Sequence, residues 1–288
     1  MATNASSEIS GPRTYDHHRL LTIIRHPETV ANVTHLLQGS TDSPLSVHGQ
    51  NQQDALVKVI KKNTTTDFQG KEQPGQLVRS GVSPLTSGLS PSAVWSSPLP
   101  RAWNLAKAIH EAYFGHLIIQ TRTEGEATSV PPLLPRVGLE EKSFGSKECC
   151  RGGLHVPGFP VGVKPFEDPA QWRKRVKQEG NAILQHLQSI KDTDQPDDDD
   201  HHHLVVVTHG LWISSFMDMF LRRGEHVTFA DNTGIFTLAL DSATSSTFRV
   251  VCANDTSHLI GVKRQRGGIG SSASDKKQRR LADMWVKK

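Results

Sequence analysis

Three runs of the chain are apolar at nearly every position and rich in β-branched residues. They occupy residues 20–24, 204–208 and 234–240. Continuous rather than alternating hydrophobicity is typical of strands that are buried on both faces, as in a parallel or mixed sheet covered by helices. Shorter runs at residues 94–96 and 248–252 predict two further strands.

Between these strands, apolar residues recur with the spacing of a helix. The pattern predicts helices at residues 45–62, 101–114, 169–190 and 212–221. Strands and helices that alternate along a chain are typical of an α/β protein. We therefore expect a three-layer α/β/α sandwich with a mostly parallel sheet.

The remaining segments define the predicted domain limits. Residues 1–18 are polar and predict a disordered N-terminal segment, while residues 63–92 and 192–203 predict insertions into a domain that spans residues 19–262. The second insertion contains four Asp followed by three His. A solvated loop fits this run better than a metal site, because the run lacks the spaced ligands of a built site. We predict no metal there.

The charge of the chain is concentrated at its C-terminal end. The 288 residues have a net charge of +4, and residues 263–288 form a basic tail with nine basic and two acidic side chains. The rest of the chain is slightly acidic, which argues against a nucleic-acid surface on the body.

Compartment is predicted from cysteine usage and hydropathy. The three cysteines, of which two are adjacent, do not predict a disulfide framework and favour a reducing compartment. No apolar run reaches the length of a membrane span, and no apolar segment behind a positive cluster predicts a secretory signal. We expect a cytoplasmic protein with a nuclear location as the alternative, and no membrane partner.

Chemistry-bearing side chains lie where the predicted strands end. Arg25 and His26 follow the first strand, Arg101 lies just beyond residues 94–96, and His209 follows residues 204–208. Open α/β sheets place their ligands at the carboxyl ends of the strands. One Arg-His pair at such a position is more often structural than functional. Two Arg and two His at strand ends favour a common site.

Five motifs containing these residues follow one another in a recognisable order. They are Arg-His-x-Glu-Thr at 25–29, Gln-Gly-x-x-Asp-x-Pro-Leu-Ser-x-x-Gly at 38–49, Ser-Ser-Pro-Leu-x-Arg-Ala at 96–102, Leu-x-Glu-x-x-Phe-Gly-x-x-Glu at 139–148 and Thr-His-Gly at 208–210. With these motifs the sequence resembles the histidine phosphatase superfamily, with its phosphoglycerate-mutase-like fold, over most of residues 20–260. Residues 254–259 and 266–270 are similar to fungal phosphoglycerate mutase family proteins.

The resemblance implies a metal-independent phosphomonoesterase that acts through a phosphohistidine. His26 would be the nucleophile, and Glu141 would be the general acid and then the base. Arg25, Arg101 and a protonated His209 would bind the phosphoryl oxygens, with the two guanidinium groups acting as bidentate forks. These cations do what a metal does in other phosphoryl-transfer enzymes, so we expect neither a metal nor another cofactor.

Three further residues are candidate contacts to substrate or phosphate, and one carboxylate is an alternative acid. Asn32 would be a neutral donor, whereas Gln38 and Thr29 are as readily explained by loop capping. Glu140 neighbours Glu141, but in an extended segment the two point to opposite faces. The family spacing to the Phe-Gly turn selects Glu141.

Two positions depart from the family pattern. Pro27 stands where the family usually has Gly, which removes a backbone N–H that could bind phosphate and fixes φ near −65°. Cys149 also replaces a Gly. Both departures leave the five principal residues intact, although they reduce the expectation of full activity.

Substrate choice is predicted to lie in residues 149–172, which have the character of a lid. Because that segment holds few cations, we expect a small phosphorylated substrate and hydrolysis. A phosphoglycerate-type mutase is the alternative, and a catalytically weak interaction module is a second one. The tail offers a partner-binding motif similar to sliding-clamp-binding peptides, formed by Gln278, Leu281 and Trp285.

Overall fold

The computed structural model describes residues 19–65, 83–124, 130–189, 202–227, 229–240, 242 and 244–263. The predicted N-terminal segment, residues 192–201 of the predicted insertion 192–203, and the tail with Gln278, Leu281 and Trp285 lie outside these residues. His202 and His203, which were predicted to belong to that insertion, instead begin a strand. The strands are β1 (Arg19–Arg25), β2 (Ala93–Ser96), β3 (Leu133–Pro135), β4 (Cys150–Arg151), β5 (Leu154–His155), β6 (His202–Thr208), β7 (Ile235–Ala239) and β8 (Arg249–Asp255). The helices are α1 (Val30–Val33), α2 (Val47–Thr65), α3 (Pro100–Glu124), α4 (Pro169–Gln188) and α5 (Gly210–Phe220).

Six of the strands form one mixed sheet, in the order β3-β2-β6-β1-β7-β8. Strands β3, β2, β6 and β1 are mutually parallel. Strand β7 is antiparallel to both of its neighbours. The prediction of a mostly parallel sheet is therefore confirmed. Strands β4 and β5 pair separately as a two-stranded hairpin.

Helices cover both faces of this sheet, which confirms the predicted three layers. Successive residues of a strand point to opposite faces, and β6 shows the result. Leu204 and Val206 pack with α4 and α5, whereas Val205 and Val207 pack with α2 and α3. The continuous apolar runs in the sequence reflect these two separate cores.

The predicted elements differ from the structure mainly where the apolar signal is short. Helix α3 continues ten residues beyond its predicted end, and the hairpin β4–β5, the strand β3 and the one-turn helix α1 were not predicted. Within the predicted insertion, α2 extends to Thr65 and residues 66–82 lie outside the described chain. Leu85, in the C-terminal part of the predicted insertion, is fully buried. The carbonyl of Leu85 accepts a hydrogen bond from the Tyr113 hydroxyl at 2.5 Å.

Within the described residues, none of the helices is long and apolar enough to cross a membrane.

Candidate active site

The carboxyl ends of three adjacent parallel strands bring the predicted residues together. The N–H of His26 donates to the carbonyl of Thr208 at 3.0 Å, and the N–H of Ser97 donates to that of Val207 at 3.0 Å. A cleft of about 420 Å³, here called the strand-end cleft, opens beside these strand ends. It is lined by Arg25, His26, Asn32, Leu36, Leu37, Gln38, Gly39, Arg101, Glu141, Phe144, Gly210, Leu211, Ser214, Phe229 and Ala230.

The tautomer of His26 is fixed by its neighbour in the chain. Its Nδ1 lies 2.7 Å from the carbonyl oxygen of Pro27. A carbonyl oxygen can only accept, so Nδ1 carries the hydrogen and the neutral ring has its lone pair on Nε2. Burial, followed by the charges of Arg101 and Arg25, lowers the pKa of His26 well below 6.5. Pro27 lacks an N–H, but its carbonyl orients the ring.

Arg101 is buried and held by the loop that precedes α2. Its Nη1 donates to the carbonyl of Thr41 at 2.6 Å and to Asp42 at 3.2 Å, and its Nη2 donates to the carbonyl of Gly39 at 2.7 Å. Its Nε–H is buried without a partner among the described residues. The motif at 38–49 therefore lies against the motif at 96–102, because its loop binds the guanidinium group of Arg101.

Arg25 is fixed by a segment that the sequence did not implicate. Its Nη1 donates to the carbonyl of Ala230 at 2.6 Å, and its Nε is buried and unpartnered among the described residues. A buried N–H without a partner costs about 1–3 kcal/mol relative to a satisfied one. Two such groups at one cleft fit a bound anion.

His209 packs against His26, with ring centroids 5.1 Å apart. Its Nε2 lies 2.8 Å from the hydroxyl of Ser97, and that hydroxyl accepts from the N–H of Leu99 at 3.3 Å. If the hydroxyl hydrogen of Ser97 goes to Nε2, the hydrogen of the neutral His209 ring is on Nδ1. This nitrogen is buried and has no partner among the described residues.

The protonation expected of His209 is not what its surroundings favour. Burial first, then the charges of Arg101, His26 and Arg25, lower its pKa well below 6.5. These surroundings favour the neutral ring. When the Ser97 hydroxyl donates to Nε2, the neutral ring has an Nδ1–H donor in place of the predicted positive charge.

Glu141 lines the cleft and Glu140 does not. The carboxylate of Glu141 accepts from the N–H of Lys142 at 2.9 Å and from the N–H of Leu211 at 3.0 Å. Burial raises its pKa above 4.5 despite these hydrogen bonds and the nearby Arg101 and Arg25. Glu140 instead forms an ion pair with Lys164.

The three secondary candidates differ in position. Asn32 and Gln38 line the cleft, whereas Thr29 is fully buried outside its lining. The hydroxyl of Thr29 caps α1 by accepting from the N–H of Asn32 at 3.2 Å, and it lies 2.9 Å from the Gln38 amide. The capping interpretation therefore describes Thr29. Asn32 closes the same capping box through its side-chain oxygen.

The predicted lid does not form the wall of the cleft. None of residues 149–172, all of which are described, is among the lining residues. The cleft is lined instead by residues 25, 26, 32, 36–39, 101, 141, 144, 210, 211, 214, 229 and 230. Cys149 contacts one of these lining residues through the backbone, because its N–H donates to the carbonyl of Leu37 at 2.7 Å. Its φ of 54° is the left-handed conformation that glycine favours, so the backbone shape survives the loss of Gly.

Glu148 is a functional neighbour to which the sequence assigned no role. Its carboxylate is fully buried and accepts from the N–H groups of Ser40 at 3.0 Å, Thr41 at 2.8 Å and Phe144 at 2.8 Å. It thereby ties the loop that holds Arg101 to the turn that follows Glu141. The sequence signal that could have identified Glu148 is its position as the last residue of the motif at 139–148.

A loop before β7 holds the first strand end in place. Asn232 donates to the carbonyl of His26 at 2.9 Å, and the N–H of Thr233 donates to the carbonyl of Arg25 at 3.1 Å. Thr233 has a φ of 59°, an uncommon conformation for a β-branched residue. The hydroxyl of Thr233 lies 2.9 Å from Nε2 of His258. No pattern in the sequence marks this loop.

Among the described residues, no three His, Cys, Asp or Glu side chains are grouped as metal ligands would be.

The comparisons with known proteins concern the family match and the fold. Residues 21–68 match the family described as "Histidine phosphatase superfamily (branch 1)". A comparison with curated proteins finds no match. A phosphoglycerate mutase from Bacillus anthracis str. Sterne has a similar fold, with a TM-score of 0.52, 19% identity, and coverage of 88% of this chain and 100% of that one.

Two mycobacterial structures also share the fold. A glucosyl-3-phosphoglycerate phosphatase in complex with inorganic phosphate has a TM-score of 0.52 and 16% identity, over 83% of this chain and 99% of that one. A protein described as mycobacterial hydrolase 1 has a TM-score of 0.51 and 17% identity, over 82% and 98%. At these identities the likeness establishes the fold.

Proposed function

We propose that this chain, which has the histidine phosphatase fold, is a metal-independent phosphomonoesterase that hydrolyses a small phosphorylated substrate through a phosphohistidine on His26. One observation carries the proposal. A neutral imidazole, with its lone pair on Nε2, lies in a cleft lined by the buried guanidinium group of Arg101 and the half-buried one of Arg25. A neutral ring is the form that can attack phosphorus, and the adjacent positive charges favour that form.

In the first step, Nε2 of His26 attacks the phosphorus atom and the bond from phosphorus to the ester oxygen breaks. The protonated carboxyl of Glu141 gives its proton to that oxygen, so the alcohol leaves neutral. Burial favours the protonated carboxyl because it raises the pKa of Glu141. The products of this step are the alcohol, phosphorylated His26 and the Glu141 carboxylate.

In the second step, water attacks the phosphorus of phosphorylated His26 and the P–N bond breaks. The Glu141 carboxylate takes the proton from the water, which restores the acid and releases inorganic phosphate. Arg25, Arg101 and the Nδ1–H of His209 would bind the equatorial oxygens in both steps. Because these groups supply the charge and the donors, we propose that turnover needs no metal.

The charge inventory of the cleft favours hydrolysis over phosphoryl transfer between two positions of one substrate. A mutase must retain a bisphosphorylated intermediate, which requires cations for a second phosphate. The charged side chains among the described lining residues are Arg25, Arg101 and Glu141. All three are used by one phosphoryl group.

The test compares wild type, His26→Ala and His155→Ala on 4-nitrophenyl phosphate, with and without a chelator. His155 is an exposed histidine outside the cleft, so it is the matched control. Wild type and His155→Ala should be active and chelator-resistant, and His26→Ala should lose at least about 10³-fold in kcat/KM. Rapid acid-free quenching should trap phosphate on His26. Interconversion of 3- and 2-phosphoglycerate faster than any hydrolysis would replace the proposal with the mutase, and inactivity on a broad phosphomonoester panel would favour the interaction module.

A further inference from the structure

Apolar side chains surround the mouth of the strand-end cleft. Five of its lining residues are large and apolar, and they come from four separate segments: Leu36, Leu37, Phe144, Leu211 and Phe229. Single exposed apolar side chains are common on any protein surface. Here Leu37, Leu211 and Phe229 are 43%, 40% and 61% exposed and line the same cleft. A cluster of this kind at a reactive site is typical of a ligand-binding wall.

The cleft is larger than a phosphoryl group needs. A phosphate has five non-hydrogen atoms, which at about 30 Å³ each would fill roughly 150 Å³. The volume of about 420 Å³ leaves more than half of the cleft for the rest of the substrate.

The remaining polar lining has little to offer a second charged group. The hydroxyl of Ser214 donates to the carbonyl of Gly210 at 3.2 Å, and the side-chain oxygen of Asn32 accepts from the N–H of Thr29 at 3.1 Å. The amide of Gln38 is engaged with the hydroxyl of Thr29. No lysine is among the described lining residues, and the described lysine that contacts one of them is Lys142, whose ammonium group lies 5.7 Å from the centroid of the Phe144 ring. An ionised group beside Leu37 and Phe229 would lose hydration without gaining a partner.

We infer that this wall, formed by Leu36, Leu37, Phe144, Leu211 and Phe229, binds the alkyl or aryl group of the substrate. The substrate class is thus the phosphomonoesters of apolar alcohols and phenols that carry no second anionic group. The inference rests on the proposed phosphomonoesterase function, and it places the specificity residues outside the segment 149–172.

The first experiment measures kcat/KM for ethyl, butyl and hexyl phosphate, with glycerol 3-phosphate and 3-phosphoglycerate as polar comparisons. The leaving alcohols of the alkyl series have nearly equal acidity, so the chemical step stays constant along it. We expect kcat/KM to rise by up to about fourfold for each methylene that the wall buries. For 3-phosphoglycerate, kcat/KM should be at least about tenfold below that for butyl phosphate.

The second experiment uses Phe229→Ala, with Phe166→Ala as its matched control. Phe166 is also an exposed phenylalanine, at 51%, but it lies outside the cleft lining and within the segment first predicted as the lid. Phe229→Ala should reduce the ratio of kcat/KM for hexyl over ethyl phosphate by about fivefold. Phe166→Ala should leave that ratio at the wild-type value. The reverse result would return specificity to the 149–172 segment and overturn the inference.

Calorimetric titration with methyl-, butyl- and hexylphosphonate measures binding to the wall independently of turnover, because these phosphonates have no ester bond to hydrolyse. Affinity that increases with chain length supports the inference even if no ester is hydrolysed, in which case the proposed function fails alone. Hydrolysis with a flat alkyl series, or with 3-phosphoglycerate as the best substrate, leaves the phosphatase standing and overturns the inference. Flat phosphonate affinities would also overturn it.

Discussion

Glu141 is the residue whose role depends most on its surroundings. Its carboxyl must be protonated to act as the acid, and burial raises its pKa above 4.5. His26 must be neutral, and its pKa is lowered well below 6.5. Activity is therefore lost on the acid side as pH falls through the pKa of His26, and on the alkaline side as pH rises through that of Glu141.

The prediction for Glu141→Gln follows from this assignment. Gln keeps one acceptor oxygen for the N–H of Lys142 or Leu211 and has no transferable proton, while its amide nitrogen faces the other N–H. With butyl phosphate, kcat/KM should fall by about 10²–10⁴-fold, and the alkaline limb of its pH profile should disappear. With 4-nitrophenyl phosphate the loss should be much smaller, because nitrophenolate leaves without a proton. Equal losses on both substrates would remove Glu141 from the role of acid.

Gly39 is required by both its conformation and its neighbour. Its φ is 57°, and a Cβ there would lie 2.3 Å from Oε1 of the buried Glu148. Gly152 has a φ of 58° with nothing within 4 Å of its Cβ position. Gly152→Ala should therefore cost about 1 kcal/mol of unfolding free energy from the backbone alone, and Gly39→Ala about 2–4 kcal/mol. Urea unfolding of the two variants measures the difference, and equal costs would mean that Glu148 yields to the added methyl group.

At the level of elements, one buried carboxylate connects the motif loops to Arg101. Glu148 accepts from the N–H groups of Ser40 and Thr41, and the carbonyls of Gly39 and Thr41 accept from Arg101. The N–H groups of the loop 39–41 therefore donate to Glu148, and the carbonyl groups of the same loop accept from the guanidinium group of Arg101. Glu148 is a positioning residue, since it acts through Arg101.

Replacement of Glu148 by Gln should disturb this connection without removing a catalytic group. The amide nitrogen of Gln would face backbone N–H groups, which is expected to cost about 1–3 kcal/mol of unfolding free energy. Because the proposed function assigns phosphate binding to Arg101, KM should rise and kcat should fall well below wild type. Added guanidinium ion should not rescue activity in this variant, whereas it should in Arg101→Ala. An intact KM and kcat in a destabilised variant would make Glu148 purely structural.

The elements also show why part of the fold could be predicted. Residues 20–24 and 204–208 are continuously apolar because each strand contributes to both cores, so period and composition identify them directly. Strand β3 has three residues, of which the last is Pro135, and it follows Pro132, so it is too short for any period to be measured. Its position is set by parallel pairing with β2, which is a tertiary interaction.

The site residues likewise divide into those that the local sequence marks and those that only tertiary pairing brings to the cleft. His26, Arg25, Arg101, Glu141 and His209 stand at strand ends or in motifs, where local sequence marks them. Phe229, Ala230 and Asn232 belong to a polar loop before β7 that reaches the cleft only because β7 pairs antiparallel with β1. The wall of the cleft could not be predicted as a unit, since its members are distant in sequence and only Phe144 belongs to a motif.

For the whole molecule, buried histidines predict how stability depends on pH. The pKa values of His203 and His258 are lowered to about 4, in both cases mainly by burial. In the unfolded chain a histidine titrates near 6.5. The unfolded state therefore binds more protons between these values, so stability is complete above about pH 6.5 and is lost as pH falls toward 4. Glu141 acts in the opposite direction, because its raised pKa makes the folded state bind a proton more readily than the unfolded state.

His258→Gln tests this linkage away from the reacting groups. At pH 5 a histidine with these two pKa values costs about 2 kcal/mol of unfolding free energy, and Gln can keep a hydrogen bond to Thr233 without titrating. The loss of stability between pH 7.5 and pH 5.0, measured by urea unfolding, should be about 2 kcal/mol smaller in this variant than in wild type. His155→Gln, at an exposed position, should behave as wild type does. Since Thr233 also donates to the carbonyl of Arg25, a loss of activity at pH 7.5 in His258→Gln would show that this histidine orients the strand end, whereas an unchanged pH dependence of stability would show that it is solvated in the folded state.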